Sequence, residues 1–249
     1  MSSRATDLAR REITLSVVSH RQNALVNQLL SDIERHCADR VSLVITQNVA
    51  DPVAFETQRR PFPVELVVNA RKKGFGANHN AAFARCQTPF FCVANPDLQL
   101  RSNPFISLIK TLSDPAVGVV GPLVRNPSGS VEDSARRFPT VSSLLGKLWG
   151  GATGADYAID HGPIAVDWIA GMFMLFRADT YRAVGGFDEN YFLYYEDVDL
   201  CRRVGRAGTK VVYNPLAEVI HDARRASHHD IRLAGHHIAS IVRFLTRGG

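Results

Sequence analysis

The chain has 249 residues, a length that fits one large α/β domain better than two small ones. Apolar residues make up 45% and charged residues 21%, a globular composition that excludes disordered and fibrous chains. The formal net charge of +5 comes from short basic clusters, and no long basic run interleaves with aromatic residues, so we expect no nucleic-acid partner. Scattered basic pairs suit a phosphorylated small molecule or an anionic membrane surface better.

The sequence predicts a cytoplasmic protein. Its longest apolar run, residues 168–176, is far shorter than the roughly 20 residues that span a bilayer. Residues 1–12 carry charges but no apolar segment of the kind that secretory signals have. The four cysteines are widely spaced and form no CxxC pair, which predicts buried thiols in a reducing compartment rather than zinc ligands or disulfides.

Apolar runs alternate with helical patterns through the first half of the chain. Strands are predicted at 13–19, 41–46, 64–69, 90–94 and 117–121, and helices at 22–36, 78–86 and 104–112. This alternation predicts a mostly parallel sheet covered by helices on both faces. Such sheets bind ligands beyond the carboxyl ends of their strands, so the residues just after the strands are the candidate contacts. They are residues 19–21, 47–48, 69–76 and 95–97.

The pattern loosens in the second half. Residues 125–163 are rich in Gly, Ser, Pro and Thr, and we interpret them as a long, partly mobile excursion rather than a linker between domains. The elements predicted after it are a buried strand at 168–176, a helix at 196–206, a short strand at 211–213 and an amphipathic helix at 230–247. Pro215 is expected to turn the chain before the apolar run that ends at His221.

Asn95-Pro96-Asp97 directly follows the predicted strand FFCVA. A carboxylate at the end of a strand, stiffened by a preceding proline, suits a hard divalent cation bound to the phosphates of a ligand. The alternative is an Asx turn that caps the next segment, which is the commoner explanation of an isolated NPD motif.

The segment 195–199, Tyr-Glu-Asp-Val-Asp, places three carboxylates at a helix start. They could simply complement the helix dipole, with Asp199 pairing with Arg203 one turn later. However, aromatic residues crowd the positions just upstream, as in a sugar-binding wall, and a carboxylate there could act as general base on a hydroxyl. These aromatic residues are Tyr191, Phe192, Tyr194 and Tyr195. Glu196 and Asp197 are the carboxylates expected nearest the pocket.

Two weaker motifs complete the candidate site. His221 ends an apolar run, where a neutral imidazole could complete a metal shell, although a lone histidine is more often structural. The stretch GFGANHN at 74–80 has glycines that allow close backbone approach to a ligand, and it opens a helix whose N-terminus favours anions. It lacks GxGxxG spacing and is therefore not a dinucleotide fingerprint.

Taken in order, these motifs resemble those of the family 2 inverting glycosyltransferases, specifically the rhamnosyltransferase-like branch that builds bacterial surface polysaccharides. The matching segments are VVSHRQ, GFGANHN, VANPDLQL, GMFMLFRADTYRAVGGFDENYFLYYEDVDLCRRVGRAG and VIHDARRAS, within residues 13–227. The resemblance implies a single-domain α/β fold of the GT-A (Rossmann-like) type at 1–229. Its nucleotide-sugar half would be about 13–122 and its acceptor and catalytic half about 123–229, with a C-terminal amphipathic helix at 230–249.

The resemblance also implies roles for individual residues. Asp97 corresponds to the last acid of a DxD-like motif that holds a metal on the donor diphosphate, and His221 to a histidine that joins the metal. Asp197 corresponds to the catalytic base, with Glu196 beside it. The implied donor contacts are Ser19, His20, Arg21, Gln47, Asn48, Lys72, Gly74, Asn80, Asn95 and Asp97. The implied acceptor-side residues are Trp168, Gly171, Tyr194, Tyr195 and Arg203.

Two positions depart from the family pattern. Gln47-Asn48 stands where Asp-Asn usually ends the second strand, and Lys72 stands where an asparagine usually precedes the GF pair. Both departures leave the identity of the nucleotide open.

The chemistry that the resemblance implies is one displacement at an anomeric carbon. Mg²⁺ or Mn²⁺ would stabilise the departing nucleoside diphosphate, while Asp197 takes the proton of the acceptor hydroxyl. The expected donor is dTDP-L-rhamnose, with UDP-galactofuranose or UDP-GlcNAc as alternatives. The expected acceptor is a polyprenyl-diphosphate-linked or growing glycan, such as the O-antigen of lipopolysaccharide, at the inner face of the cytoplasmic membrane.

Other classes and assemblies stay open at this point. A nucleotidyltransferase would use the same architecture but release pyrophosphate, and a catalytically inactive protein would only bind glycan or nucleotide. The C-terminal helix carries an apolar stripe and arginines, so it either lies on a membrane surface or packs on the domain or on another subunit, as in a homodimer.

Overall fold

A mixed sheet with helices on both faces forms the centre of the molecule. The computed structural model describes residues 11–140, 142, 156–158, 162–222 and 231–246. The strands are β1 (Ile13–His20), β2 (Val41–Val49), β3 (Val64–Val68), β4 (Phe90–Ala94), β5 (Leu98–Gln99), β6 (Val117–Arg125), β7 (Ala135–Arg136), β8 (Ile164–Val166), β9 (Trp168–Ile169), β10 (Phe173–Arg177) and β11 (Lys210–His221). The helices are α1 (Asn23–His36), α2 (Phe75–Phe83), α3 (Phe105–Leu112), α4 (Ala178–Ala183), α5 (Glu196–Arg206) and α6 (Ile231–Thr246).

The strand order of the central sheet is β3-β2-β1-β4-β10-β6-β11-β5, with β8 paired to β11. β3, β2, β1 and β4 run parallel, and β6 and β11 form a second parallel pair. β10 lies antiparallel between β4 and β6 and joins the two groups. β7 and β9 pair separately as a two-stranded ribbon. The predicted α/β fold with a mostly parallel sheet is confirmed, with β5, β8 and β10 as its antiparallel members.

Helices cover the sheet because each one has an apolar face. α1 presents Val26, Leu29, Leu30 and Ile33 at helical spacing, and all four are buried against one face of the sheet together with residues of α3. α2, α4 and α5 cover the other face. Burying each large aliphatic side chain contributes about 1.5–3 kcal/mol. Both faces of the inner strands are therefore covered, and ligands can reach the sheet only at its edge.

The helix predicted at 78–86 lies three residues earlier, at Phe75–Phe83, and two predicted elements differ in kind from the structure. The single strand expected at 168–176 is split into β9 and β10 by a turn at 170–172, because the backbone N–H of Gly171 bonds to the Asp197 carboxylate instead of to a strand. Pro215 does not end a strand. β11 runs through it with a register shift against β6 between Asn214 and Glu218, since a bulge accommodates a residue that has no N–H to donate.

Parts of the predicted organisation lie outside the described residues. They are residues 1–10 and 223–229 of the expected domain, 143–155 and 159–161 of the expected excursion, and 247–249. Within the described part of the chain, none of the helices combines the length and the apolar character that crossing a membrane requires.

Candidate active site

A cavity of about 590 Å³ opens at the carboxyl ends of β1, β2 and β4. These three strands are parallel neighbours, so the residues that end or follow them meet at one edge of the sheet. Five predicted donor contacts line the cavity: His20, Asn48, Lys72, Asn95 and Asp97. The structure thus brings together half of the predicted donor set, contributed by four separate segments.

Asn48 holds the basic loop at the cavity rim in place. Its Oδ1 accepts the backbone N–H of Lys73 at 2.9 Å and the side-chain amide of Asn69 at 2.9 Å. Its Nδ2 donates to the Lys73 carbonyl at 2.9 Å. Burial lowers the pKa of His20, and the nearby charges of Lys72 and Arg21 lower it further. His20 is therefore neutral near pH 7, and the positive charge at this rim comes from the lysines.

Five predicted donor contacts do not line the cavity: Ser19, Arg21, Gln47, Gly74 and Asn80. Ser19 is buried, bonds to the Asn23 side chain and accepts the Gln22 N–H, so it caps the start of α1. Gly74 precedes α2, and a Cβ there would lie 2.8 Å from the carbonyl oxygen of Phe192, so packing requires its small size. Arg21 is in the left-handed region at φ +62°.

Asn80 is part of the scaffold rather than of the cavity wall. Its Oδ1 accepts the Tyr181 hydroxyl at 2.8 Å and the Phe187 N–H at 2.9 Å. Its Nδ2 donates to the Phe187 carbonyl at 2.9 Å and to Glu189 at 3.0 Å. Every donor and acceptor of the amide is engaged in fixing residues 187–189, the segment that leads to the aromatic cluster.

Asp97 and His221 meet at the far end of the cavity. The pairing of β5 with β11 sets His221 opposite Leu98, beside Asp97, and the His221 Nε2 lies 3.4 Å from Asp97 Oδ1. Glu132 Oε2 lies 2.8 Å from His221 Nδ1. Burial alone would lower the pKa of His221, but the hydrogen bond and charge of Asp97, followed by those of Glu132, outweigh it and raise the pKa to about 9.

These residues fit a divalent cation as a partial shell. Asp97 Oδ1 is buried, and the polar atom that faces it among the described residues is the His221 Nε2 at 3.4 Å, so this oxygen suits a cation. Two neighbouring ligands of an octahedral ion lie about 3 Å apart, close to the observed Asp97–His221 separation. Glu132 orients the imidazole, as carboxylates commonly do behind metal-binding histidines. Among the described residues no set of three His, Cys, Asp or Glu forms a complete cage, so the remaining ligands would come from phosphate and water.

Asp197 lies in the first turn of α5 and is fixed by backbone donors. Gly171 N–H donates to its Oδ2 at 2.9 Å, and Val198 N–H to its Oδ1 at 2.8 Å. A Cβ placed on Gly171 would lie 3.4 Å from Phe75 Cζ and 3.5 Å from Asp197 Oδ2, so Asp197 adjoins Phe75, which lines the cavity. Burial raises the pKa of Asp197, while these backbone bonds and the charge of Arg136 oppose the rise. A carboxylate so held can accept a proton at the cavity wall.

Glu196 differs from its neighbour in being buried at 5% exposure. Its Oε2 has no hydrogen-bond partner within the described part of the chain. Burial raises its pKa, and the charge of Asp197 raises it further. Of the two predicted catalytic carboxyls, Asp197 is thus the partly exposed one, held beside Gly171, and Glu196 is the buried one.

Trp168, Tyr194 and Tyr195 form an aromatic wall near Asp197, and the two tyrosines pack against α6, whereas Tyr191, which was also expected in this wall, is buried at 0% exposure. Trp168 donates its indole N–H to the Arg137 carbonyl at 2.9 Å. The rings of Tyr194 and Tyr195 contact His237 with centroids 5.2 and 5.6 Å apart. Both tyrosines adopt left-handed backbone angles, at φ +71° and +66°. The wall therefore depends on a constrained turn directly before Glu196.

Arg203 does not face this wall. Its guanidinium bonds to Asp199 at 2.8 Å and to the carbonyls of Val184 and Gly186 at 2.6 Å each, so it ties α5 to the turn after α4. The sequence correctly paired Arg203 with Asp199. Its expected acceptor role has no support in this geometry, because its bonds point into the scaffold.

The sequence analysis missed Glu132 and Arg136, both close to the site. Lys73 and Phe75 lie within the predicted contact segment 69–76, but neither was given a role of its own. Glu132 and Arg136 lie in the Gly- and Ser-rich segment after β6, where no periodicity or motif distinguishes them.

The chain is similar to known proteins in both sequence and fold. The family model described as "Glycosyltransferase like family 2" matches residues 9–235. An N-acetylglucosaminyl-diphospho-decaprenol L-rhamnosyltransferase of Mycobacterium tuberculosis is 40% identical over 139 residues, covering 52% of this chain and 45% of that relative. Rhamnosyltransferase WbbL of Escherichia coli is 27% identical over 222 residues, covering 85% of this chain and 83% of its own. The chain thus spans less than half of the first relative and most of the second.

The fold also matches solved structures. The crystal structure of GalNAc-T7 with UDP, GalNAc and Mn²⁺ superimposes with a TM-score of 0.72 at 11% identity, covering 95% of this chain and 48% of that one. At this identity the likeness establishes a shared fold.

Proposed function

The chain belongs to glycosyltransferase-like family 2 and has the GT-A fold, and from this premise we propose that it is a metal-dependent inverting glycosyltransferase. Its donor is dTDP-L-rhamnose, and its acceptor is a hydroxyl of a polyprenyl-diphosphate-linked or growing surface glycan. The observation that carries the proposal is a cavity with a basic rim that is lined by Asp97, the partner of His221, and by Phe75, with the Asp197 carboxylate held at Gly171 beside Phe75.

The donor half of the site binds and orients the nucleotide sugar. Lys72 and Lys73, held by Asn48, supply positive charge for a diphosphate at the rim. Asp97 and His221 would hold a Mg²⁺ or Mn²⁺ ion, which supplies charge neutralisation for the leaving diphosphate. The Mn²⁺ in the structurally similar GalNAc-T7 supports this choice of ion.

Asp197 acts as general base on the acceptor hydroxyl. The N–H groups of Gly171 and Val198 hold both of its oxygens, so the carboxylate keeps a fixed orientation when it takes the proton. Its raised pKa makes it a stronger base than an exposed aspartate. A hydroxyl activated there attacks the anomeric carbon from the face opposite the diphosphate, and one such displacement inverts the configuration.

The choice of rhamnose and of a lipid-linked acceptor is supported by the two relatives, both named as rhamnosyltransferases, one of which acts on N-acetylglucosaminyl-diphospho-decaprenol. UDP-galactofuranose and UDP-GlcNAc stay alternatives, since Gln47 and Lys72 replace the residues usual at those positions. Because a polyprenyl carrier lies in the membrane, the protein would act at the inner face of the cytoplasmic membrane and contact that membrane peripherally.

The test is a transfer assay with purified protein, an N-acetylglucosaminyl-diphospho-prenol acceptor and each of the three donors, with Mn²⁺ or with a chelator. We expect product only from dTDP-L-rhamnose, and only when Mn²⁺ is present. Product from a UDP-sugar instead would keep the enzyme class and overturn the donor. Release of pyrophosphate would favour a nucleotidyltransferase, and nucleotide binding without turnover would favour an inactive binding protein.

A further inference from the structure

The segment from Glu132 to Arg136 runs from the Asp97–His221 pair towards the turn at 170–172 that holds Asp197. Glu132 contacts the imidazole of His221, and two residues later the Ser134 carbonyl accepts the Ala170 N–H at 2.8 Å. Arg136 then pairs with Trp168 in the β7–β9 ribbon. Four residues reach at most about 13 Å, and the pairing with Trp168 places Arg136 in the β7–β9 ribbon rather than beside His221. The ribbon places it on the acceptor side, next to the turn that holds Asp197.

Arg136 directs its charge towards the base and the aromatic wall. Its guanidinium carbon lies 5.8 Å from the centre of the Trp168 ring, the usual range of a cation–π contact. Burial raises the pKa of both Asp197 and Tyr195, and in each case the charge of Arg136 acts against the rise. The charge of Arg136 thus acts on both Asp197 and Tyr195.

Part of the guanidinium is already engaged and part is open. The Nε of Arg136 lies 2.8 Å from Asp133 Oδ2 and donates to the Asp133 carbonyl at 3.2 Å. Within the described residues, no hydrogen bond uses its two terminal Nη groups, and the side chain is 38% exposed. Two parallel N–H groups on a planar guanidinium match the oxygens of a phosphate. The Trp168 indole N–H is occupied by the Arg137 carbonyl, which leaves only its ring face for a ligand.

We propose that Arg136, held against Trp168, binds a phosphate group of the acceptor and so selects acceptors whose sugar is carried on a diphosphate. The proposal rests on the proposed function for the class of acceptor. The donor diphosphate has separate partners at the other end of the cavity, namely Lys72, Lys73 and the Asp97–His221 pair. An acceptor hydroxyl at Asp197 carries its diphosphate one sugar ring away, and Arg136, in the ribbon that leads into the turn at 170–172, lies near enough for its charge to act on Asp197.

The experiment compares equilibrium binding of two acceptors that share one sugar. The first is N-acetylglucosamine on a short prenyl diphosphate, and the second is the octyl glycoside of N-acetylglucosamine, which has no phosphate. Binding is measured by titration calorimetry for the wild type, Arg136→Gln, Arg136→Lys and the control Arg137→Gln. Arg137 is a matched control because its guanidinium lies over Tyr157 instead, at 5.5 Å. Unfolding midpoints check that each variant is folded.

We expect Arg136→Gln to bind the diphosphate acceptor about 10- to 100-fold more weakly, the size of effect that losing a charged hydrogen bond produces. Its affinity for the octyl glycoside should be unchanged. The affinity of Arg136→Lys for the diphosphate acceptor should lie between those of the wild type and Arg136→Gln, since lysine keeps the charge but loses the paired donors. Arg137→Gln should bind both acceptors like the wild type.

Equal affinity of wild type and Arg136→Gln for the diphosphate acceptor would overturn the proposal, as would equal affinity of the wild type for both acceptors. If Arg136→Gln weakened only the binding of a nucleoside diphosphate, Arg136 would belong to the donor side, and the proposal would also be overturned. Sugar transfer is measured separately. A wild type that binds the diphosphate acceptor through Arg136 but transfers no sugar would refute the proposed function and leave the phosphate site standing.

Discussion

Asp197 and Glu196 are adjacent in sequence but have different surroundings. Asp197 accepts two backbone N–H groups and adjoins the cavity, whereas Glu196 is buried with an oxygen that lacks a partner in the described structure. This difference is the reason for proposing Asp197, rather than Glu196, as the general base.

We predict that Asp197→Asn lowers the transfer rate by about 10²- to 10⁴-fold, the usual contribution of a general base. Asp197 is not among the residues that line the donor cavity, so affinity for the nucleoside diphosphate should be unchanged. Steady-state rates and calorimetric titration measure the two effects. Asp179→Asn, an exposed carboxylate paired with Arg177, serves as control. Near-normal turnover of Asp197→Asn would remove it from the role of base.

Glu196 should make stability depend on pH. Its folded-state pKa is raised above the ordinary 4.5 by burial and then by Asp197, so the folded protein favours the protonated form. The stabilisation is complete below pH 4.5 and is lost as pH rises through the raised pKa. We therefore predict that Glu196→Gln, which mimics the protonated acid, raises the unfolding midpoint more at about pH 8 than at about pH 5. The same change at both pH values would contradict a raised pKa.

At the scale of elements, α6 supports the turn that precedes the catalytic helix. The Phe244 ring is buried at 3% exposure beneath the Arg202 guanidinium, 4.0 Å from the ring centre, and beside Tyr195 at 5.7 Å. Ser240 donates to the Leu193 carbonyl at 3.1 Å, and Arg243 pairs with Asp188 at 2.8 Å. Two consecutive tyrosines with positive φ cost energy, so neighbouring structure must hold them. This packing favours the interpretation of the helix as part of the domain.

We predict that Phe244→Ala lowers the free energy of unfolding by about 3–5 kcal/mol, as for other buried phenylalanines. It should also lower the transfer rate with little effect on donor affinity, because it loosens the acceptor side only. Val242→Ala is the matched control: Val242 lies on the same helix at 55% exposure, and its loss should change stability by less than about 0.5 kcal/mol. Denaturant titration measures both. Equal effects of the two variants would contradict the packed arrangement.

The sequence predicted the regular elements well and the irregular ones poorly. The strand at 90–94 and the helix at 196–206 have the predicted bounds, because apolar spacing marks both, Pro89 and Pro96 flank the strand, and Gly208 follows the helix. The break at 170–172 was not predictable from the apolar run, since its cause is the bond between Gly171 and Asp197, 26 residues away. The Pro215 bulge likewise depends on the register of β11 against β6.

The candidate site shows the same limit. The motifs, taken with the family resemblance, singled out Asp97, Asp197 and His221, and the structure places Asp97 beside His221 and Asp197 beside Gly171. Glu132 could not be predicted, because its contact with His221 joins residues 89 positions apart and lies in a segment without periodicity. Asn80 has the residue type of a ligand contact, but only the structure shows that scaffold bonds use both of its polar atoms.

On the scale of the whole molecule, the cavity joins the two halves of the chain. Asp97 follows β4 in the first half, whereas His221 ends β11, the last strand of the second half. With only these two protein ligands facing each other among the described residues, a cation there needs the donor diphosphate to complete its shell. Metal and nucleotide should therefore bind as a unit, each strengthening the other by the same factor.

We predict that dTDP and Mn²⁺ together raise the unfolding midpoint by more than the sum of their separate effects, because each strengthens the binding of the other. A ligand that binds only the folded state stabilises it by about 2.7 kcal/mol at a hundred times its dissociation constant. Differential scanning calorimetry measures this excess. It should vanish with dTMP, which lacks the second phosphate, and in Asp97→Asn, which lacks the carboxylate. Purely additive shifts with dTDP would show that metal and nucleotide bind apart, and Asp97 with His221 would then be a structural pair that tethers β11 to β5.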